Sequence, residues 1–413
     1  MIKNILNIIK AKDLSYGTKI ITTATAIRWA GWGFAESLIP VFLFSFSGGF
    51  AEAGLLKSSL EISMILTMPI IGIFADRIRT TTLILIGLAF YTLVGASYFL
   101  AGITSLAIFI IVARIANGIG YGLDIIGRET YFRRNNTPSK LASVFGYFDS
   151  NAIFWWIIAS FVGIFLVKSF PINWILFLIT PTTLISFWMI WKWRKKDSNT
   201  HFSFKNEKVS FRNFFRELGD WNYRLKMIML LNLILSASWS IIIFFLPIGM
   251  YIEGANYTTI ILFGVATATP VLSGIFLGRF FDKKGPRVFV YGLLLYGLLL
   301  IPLSLGESFP LIITTAFVIG IIQEFISVGK EELVTIYAKP EHFGKVGGLM
   351  RSIMNIGAMI GPLMAGIIID KTGSMSIVFV GLASCMLMLA FTFAIYGRLR
   401  HRKKTKSPLG LVV

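Results

Sequence analysis

The chain has 413 residues, of which 55% are hydrophobic and only 14% are charged, and its mean hydropathy is +0.76. Ordinary soluble domains carry about a quarter charged residues, so this composition excludes a soluble globular protein and predicts an integral membrane protein. The net charge of +19 does not indicate a nucleic-acid partner, because the basic residues fall between apolar segments rather than on one face of a soluble domain.

Long apolar segments follow one another along the chain. A helix of about 20 apolar residues crosses a hydrocarbon core of about 30 Å, and twelve segments meet this requirement. The predicted fold is therefore all-α and membrane-spanning. We number these segments spans 1 to 12, and they cover approximately 20–46, 52–75, 82–101, 104–127, 141–167, 171–191, 227–251, 257–277, 288–305, 309–329, 346–369 and 375–396.

The distribution of Lys and Arg indicates the orientation of the spans. With the N-terminus in the cytoplasm, about 33 of the 39 basic residues lie in cytoplasmic segments, where such residues accumulate in membrane proteins. Lys57, Lys168 and Lys371 lie near the outer side. We therefore expect a multi-pass protein of the cytoplasmic (inner) membrane with both termini in the cytoplasm.

The longest polar stretch separates spans 1–6 from spans 7–12. Within it, Phe211, Phe214, Phe215 and Leu218 have helical spacing, which predicts an amphipathic helix on the membrane surface or packed on the protein. The N-terminal sequence MIKNILNIIKAK alternates apolar residues with Lys and has no signal-peptide cleavage site, so a second interfacial helix is expected there. The predicted organisation is an amphipathic cytoplasmic N-terminus (1–18), a six-helix bundle (19–191), a cytoplasmic linker (192–225), a second six-helix bundle (226–397) and a basic cytoplasmic tail (398–413).

The two halves share sequence motifs. GIFADR after span 2 and GRFFDK after span 8 begin at Gly72 and Gly278, which are 206 positions apart. Six further coincidences at one offset of 202 indicate an internal duplication, and duplicated halves with a substrate site between them are typical of transporters. At that offset Gly118, Gly127, Arg128, Glu129, Pro138 and Gly146 match Gly320, Gly329, Lys330, Glu331, Pro340 and Gly348.

These motifs resemble the major facilitator superfamily over essentially the whole chain. The loop motif is carried by Gly72, Asp76 and Arg77, and its second copy by Gly278, Asp282, Lys283, Gly285 and Arg287. RIANGIG in span 4 is similar to that family's Arg-x-x-Gln-Gly-x-Gly pattern, with Asn117 in place of Gln. Arg79 stands where the family usually has glycine, and the glycine-proline motif of drug/proton antiporters is missing from span 5. The resemblance implies two pseudo-symmetric six-helix bundles with a central cavity lined by spans 1, 4, 7 and 10.

The loop motifs, together with GRE and GKE at the inner ends of spans 4 and 10, predict a cytoplasmic gate. Glycine lets two helix ends approach each other. The positive end of a helix dipole stabilises an acid near the helix N-terminus, and a base can pair with an acid of the other half. Ordinary solvated loop charges are the alternative interpretation. The predicted gate comprises Gly72, Asp76, Arg77, Arg128, Glu129, Gly278, Asp282, Lys283, Arg287, Lys330 and Glu331.

Ionisable side chains inside a membrane span cost a few kcal/mol on insertion scales, so they are candidates for function. Spans 1, 4, 7 and 10 carry polar residues at helical spacing, and these are the spans that the resemblance places around the cavity. Lys57 and Glu61 in span 2, four residues apart, are expected to form a structural ion pair. The predicted substrate and proton cavity comprises Arg28, Trp32, Glu36, Arg114, Asn117, Tyr121, Asp124, Asn232, Trp239, Gln323 and Glu324.

Glu36 and Glu324 are the proton-site candidates, with Arg114 as partner, because a carboxylate that faces a cavity can exchange a proton as access alternates. The alternative is a fixed buried ion pair of Glu36 with Arg28 or Arg114. The chain contains no Gly-x-x-x-x-Gly-Lys-Ser/Thr phosphate loop and no histidine spacing typical of a metal site. We therefore expect no enzyme activity, no metal and no cofactor.

The predicted function is secondary active transport of a small organic solute by alternating access, driven by a proton gradient. Its expected partners are the solute and the lipid bilayer, and the chain is expected to be monomeric. Efflux of a drug or metabolite and uptake of a nutrient are both compatible with the sequence. The alternative is a membrane scaffold or sensor that has a transporter fold but does not transport.

Overall fold

The computed structural model describes residues 14–75, 78–136, 141–194, 223–274, 276–277, 280, 283, 288–305, 308–337 and 343–404. These residues are almost entirely helical and contain no β-strand. The helices before the linker are α1 (Tyr16–Gly33), α2 (Ile39–Phe44), α3 (Phe50–Ala75), α4 (Thr80–Thr104), α5 (Ala107–Asn135), α6 (Leu141–Leu166), α7 (Ile172–Phe177) and α8 (Ile179–Arg194). Those after it are α9 (Tyr223–Ile252), α10 (Tyr257–Ala268), α11 (Val288–Leu305), α12 (Phe309–Tyr337), α13 (Phe343–Thr372) and α14 (Met375–Lys404).

The helices fit the twelve predicted spans. Within the described ranges, nine helical segments are long and apolar enough to cross a membrane, and Tyr257–Ser273 and Val288–Ser304 are shorter apolar helices. Helices α1 and α2 together occupy span 1, and α7 and α8 occupy span 6. The protein is therefore an all-α, multi-pass integral membrane protein.

Span 1 is interrupted where the sequence predicts a continuous helix. α1 ends at Gly33, a 3₁₀ turn covers Glu36–Leu38, and α2 then begins at Ile39. Ala35 leaves the helical region with φ −148° and ψ 9°, and Pro40 lies in the first turn of α2, where its missing N–H removes no helical hydrogen bond. The interruption places Glu36 on a turn within the span rather than on the face of an unbroken helix.

Each half of the chain packs as a bundle. In the N-terminal half α4 packs on α5 and α8, α3 packs on α5, and α1 packs on α6 and α8. In the C-terminal half α9 packs on α13, α11 packs on α12 and α14, and α10 packs on α12. Most of the buried apolar side chains of the two bundles belong to one continuous cluster, which runs from Ile21 to Ala390.

Among the described residues, the two halves meet most extensively where α3 packs on α13, α6 on α10, and α2 on α9. The contact of α3 with α13 requires small residues, since a Cβ atom added at Gly54 would lie 2.5 Å from the carbonyl oxygen of Pro362. The hydroxyl of Ser58, one turn further along α3, donates to the carbonyl of Met359 at 2.7 Å. These contacts bring the backbones together and enclose the space between the halves.

Several predicted features lie outside the described residues. They include the N-terminal helix up to residue 13, the amphipathic helix of the linker within 195–222, and the tail beyond residue 404. The gate residues Asp76, Arg77, Gly278, Asp282 and Arg287 also fall outside.

Candidate functional site

A cavity of about 500 Å³ lies between the two halves. Its wall has two different sides. From the C-terminal half it is lined mainly by apolar side chains, including Trp239, Phe244, Pro247 and Phe263, and none of the described residues on that side is charged. All charged lining residues come from the N-terminal half: Arg28, Glu36, Lys57, Glu61 and Arg114.

Asp124 is shared by two arginines, and we call Arg28, Asp124 and Arg128 the first triad. The Oδ2 atom of Asp124 lies 2.9 Å from Nη2 of Arg28 in α1 and 2.7 Å from Nη2 of Arg128 in α5. All three side chains are buried, with at most 5% of their surface exposed. The guanidinium groups also stack over the rings of Tyr91 at 4.3 Å and Phe148 at 4.6 Å, which favours burial of the cations.

Lys57, Glu61 and Arg114 form a second triad, which again contains one acid and two bases. The ammonium group of Lys57 donates to Oε1 of Glu61, and Nη2 of Arg114 lies 4.0 Å from Oε2 of the same carboxylate. Arg114 also donates to the carbonyl of Lys57 at 2.8 Å, which ties α5 to α3. The predicted ion pair of span 2 is therefore part of the cavity wall, and four-residue spacing identified the pair without revealing which way it faces.

Glu36 is held differently from the other acids. Its Oε2 atom accepts a hydrogen bond of 2.6 Å from the indole Nε1 of Trp156 in α6. Among the described residues no base forms an ion pair with it, because Arg28 pairs with Asp124 and Arg114 approaches Glu61. The fixed pair of Glu36 with an arginine, which was the alternative expectation, is thus absent from this part of the chain.

Seven of the predicted cavity residues line the cavity: Arg28, Trp32, Glu36, Arg114, Asn117, Tyr121 and Trp239. Asp124 lies behind the wall, between its two arginines.

Three predicted cavity residues lie elsewhere. Asn232 accepts from Nζ of Lys330 at 2.8 Å and donates to the carbonyl of Met350 at 2.7 Å, so it joins α9, α12 and α13 within the C-terminal bundle. Glu324 lies against Gly274, which follows the 3₁₀ turn after α10. Gln323 is next to it, also away from the cavity wall. Glu324 is also close enough to Asp149 of α6, in the other half, for an electrostatic interaction.

The predicted gate residues also separate into groups. Arg128 and Lys330 are buried in their own bundles, where they bind Asp124 and Asn232 respectively. Gly72 lies in α3, while Lys283 and Glu331 are exposed. The remaining described member, Glu129, does bridge the halves.

Two polar contacts join the halves at opposite ends of α13. At the predicted cytoplasmic end, Nη2 of Arg351 donates to Oε1 of Glu129 in α5 at 2.8 Å. At the predicted outer end, the carboxylate of Asp370 accepts from the backbone N–H groups of Phe50 and Ala51 at 2.9 and 2.8 Å. These are the first residues of α3, so the carboxylate also lies at the positive end of a helix dipole. Sequence reasoning did not identify Asp370.

The family model described as Major Facilitator Superfamily matches residues 21–329 and 228–411 of this chain. The proton-coupled antiporter flippase LtaA of Staphylococcus saprophyticus is 29% identical over 157 residues, which are 37% of this chain and 38% of that protein. LtaA of Staphylococcus aureus is 28% identical over the same lengths. The chain therefore matches about two fifths of the length of these curated relatives.

Solved transporter structures share the fold at low sequence identity. The crystal structure of nucleoside transporter NupG superposes with a TM-score of 0.73 and 15% identity, covering 92% of this chain and 99% of that one. A bacterial homolog of the human lysosomal transporter Spinster, in an inward-facing and unoccupied conformation, gives 0.68 and 17% over 92% and 95%. A POT family transporter in complex with a thioalcohol-conjugated peptide gives 0.75 and 12% over 92% and 96%.

Proposed function

The chain belongs to the Major Facilitator Superfamily, and on that premise we propose that it is a proton-coupled secondary transporter that moves an amphipathic organic solute by alternating access. The observation that carries the proposal is the two-sided wall of the cavity, charged on the side of the N-terminal half and apolar on the other. A polar group buried without partners is costly, whereas apolar surface gains about 25 cal/mol per Å² when it leaves water. A solute with a polar group and an apolar body meets both requirements at once.

The relatives support a lipid-like solute. LtaA is named a flippase, and a flippase substrate combines a polar head group with hydrocarbon chains. Because this match covers 37% of the chain, it is supporting evidence, and the main evidence is the two-sided wall of the cavity.

Glu36 is the proposed proton carrier. Protonating Asp124 or Glu61 would leave two buried cations without their shared carboxylate, which is strongly unfavourable. Protonating Glu36 leaves no cation uncompensated, because its bonded partner is the neutral indole of Trp156. Glu36 also lines the cavity, so solute and proton reach it by the same route. Glu324 lies outside the cavity and is the second candidate.

Alternating access requires that the halves separate first on one side and then on the other. The Asp370 contact closes the predicted outer side, and the Arg351 contact spans the predicted cytoplasmic side. Their positions at opposite ends of one helix suit them to break in turn. The direction of net transport then follows from the two gradients.

The proposal is tested by solute accumulation in proteoliposomes across an imposed pH step, with protein-free liposomes as the background. Three polar groups are tested: glucose, phosphate and trimethylammonium. Each is supplied once alone and once attached to a hexyl chain. We expect pH-dependent accumulation of at least one hexyl compound and none of its head group alone. Equal accumulation with and without the chain would contradict the amphipathic substrate, and accumulation that ignores the pH step would contradict proton coupling. Accumulation of none of these compounds above the protein-free background would favour the scaffold alternative.

A further inference from the structure

The polar side of the cavity contains more cations than anions. In each triad one carboxylate serves two bases: Asp124 lies between Arg28 and Arg128, and Glu61 lies beside Lys57 and Arg114. Each triad therefore carries one excess positive charge in its ionised form. Glu36 is the remaining acid on the wall. The two triads and Glu36 together contain four bases and three acids, and protonation of Glu36 makes the imbalance four to two.

The hydrogen-bonding groups show the same imbalance. Four N–H donors of cavity-lining residues are buried without an acceptor among the described residues, namely Nε of Arg28, Nε1 of Trp29, Nε1 of Trp32 and Nε of Arg114. Among the lining residues described, the one buried acceptor in the same situation is Oε2 of Glu61. Burying such groups unpaired is unfavourable, so a complementary group brings acceptors rather than donors.

From these two observations we propose that the polar side of the cavity binds an anionic group, a phosphate or a carboxylate, carried by the amphipathic substrate. This inference rests on the function proposed above and names the substrate class of the same site. A phosphate or carboxylate contributes only acceptors when ionised and pairs well with guanidinium groups. A trimethylammonium group would add a like charge, and every hydroxyl of a sugar brings a donor as well as acceptor lone pairs.

The apolar wall opposite decides between an amphiphile and a simple anion. Trp239, Phe244 and Phe263 contact whatever fills that side, and inorganic phosphate leaves it unfilled. The anionic group can belong to a membrane lipid or to a water-soluble amphiphile, since both present the same chemistry.

The test is a titration by calorimetry of the full-length protein in nanodiscs of phosphatidylcholine. The probes share one tail and differ in the head: hexyl phosphate, hexyl glucoside and hexyltrimethylammonium, with inorganic phosphate as the tail-free anion. We expect hexyl phosphate to bind at least about 10-fold more tightly than each of the others. Equal or tighter binding of the cation or the glucoside would overturn the proposal. Phosphatidic acid added to the nanodiscs distinguishes the two sources. If the site binds a membrane lipid, phosphatidic acid should weaken the apparent binding of hexyl phosphate. If the site binds a water-soluble amphiphile, the binding of hexyl phosphate should stay the same.

Variants connect the preference to the triads. Arg114→Gln is expected to weaken hexyl phosphate binding about 10-fold, and Arg114→Lys is expected to restore part of it. Lys168→Gln, which removes an exposed base outside the cavity, is the matched control and should change nothing. Glu36→Gln should instead tighten anion binding, because it removes a negative charge from the wall. A gain of affinity cannot arise from misfolding. The proposal would be overturned if Glu36→Gln did not tighten the binding of hexyl phosphate and Arg114→Gln did not weaken it.

The same variants separate this inference from the proposed function. Selective binding of hexyl phosphate without pH-driven transport would contradict the transport proposal and leave the anion site standing. pH-driven transport with a preference for the hexyltrimethylammonium cation would contradict the anion site and leave the transport proposal standing.

Discussion

Replacing Asp370 by alanine should open the predicted outer side of the protein. The carboxylate accepts two backbone hydrogen bonds of 2.9 and 2.8 Å from the start of α3, and these cross between the halves. Hydrogen bonds to charged groups contribute about 1.5–3 kcal/mol each where they are buried. Because Asp370 is exposed, solvent screening weakens these interactions. The two bonds and the interaction with the helix dipole together therefore stabilise the closed outer side by about 1–2 kcal/mol. A loss of that size shifts the equilibrium between closed and open outer sides about 5- to 30-fold.

The assay is the rate at which a membrane-impermeant maleimide, added from outside, labels a cysteine in the cavity. Cys385, the native cysteine, is first changed to alanine, and Ile243→Cys then supplies a single site on the cavity wall. We expect Asp370→Ala to raise the labelling rate about 5- to 30-fold. Glu52→Gln is the matched control, since its exposed carboxylate bonds to Gly48 in its own half at 2.7 Å and spans nothing. Equal rates for Asp370→Ala and the parent would refute the assignment of this contact as a closure of the outer side.

Three further variants address the other charged groups. Glu36→Gln should abolish solute-dependent proton movement in proteoliposomes without lowering the thermal unfolding midpoint by more than a few degrees; retained proton movement would exclude Glu36 as carrier. Asp124→Asn should destabilise the protein by about 3–5 kcal/mol, because two buried guanidinium groups lose their shared anion, and an unchanged midpoint would contradict that charge balance. Arg351→Gln should increase labelling of the cavity from the predicted cytoplasmic side in inverted vesicles. Arg133→Gln, which removes the weaker 3.7 Å contact of the same Glu129 within α5, should not.

Helical periodicity in the sequence predicts a polar face on the fourth span. Arg114, Asn117 and Tyr121 line the cavity together, as their spacing requires on one face of α5. The identity of the partners was beyond that reasoning. Periodicity shows which residues share a face, but the choice of Asp124 as partner of Arg28 depends on how α1 and α5 pack.

The polar residues of the C-terminal half show the same limit more clearly. Asn232 and Glu324 have the helical spacing expected of cavity residues, yet neither lines the cavity: Asn232 bonds to helices of its own bundle, and Glu324 lies against Gly274. A polar residue within a span must find a partner, and that partner can be a neighbouring helix as readily as a solute.

Two features left little signal in the sequence. The break in span 1 follows from the backbone of Ala35 and the tolerance of Pro40 in a first helical turn, while the surrounding residues read as one apolar run. Asp370 looked like an ordinary charge at a helix end, because its partners are backbone N–H groups, which every residue except proline carries.

Proton movement coupled to the solute is the most direct test of the proposed transport. Pyranine trapped inside proteoliposomes reports the internal pH after addition of the hexyl compound that the protein accumulates. The proposed mechanism predicts a solute-dependent pH change with the wild-type protein and with Glu52→Gln, and none with Glu36→Gln. The same pH change with Glu36→Gln, or no change with the wild-type protein while the solute still accumulates, would contradict proton coupling through this carboxylate.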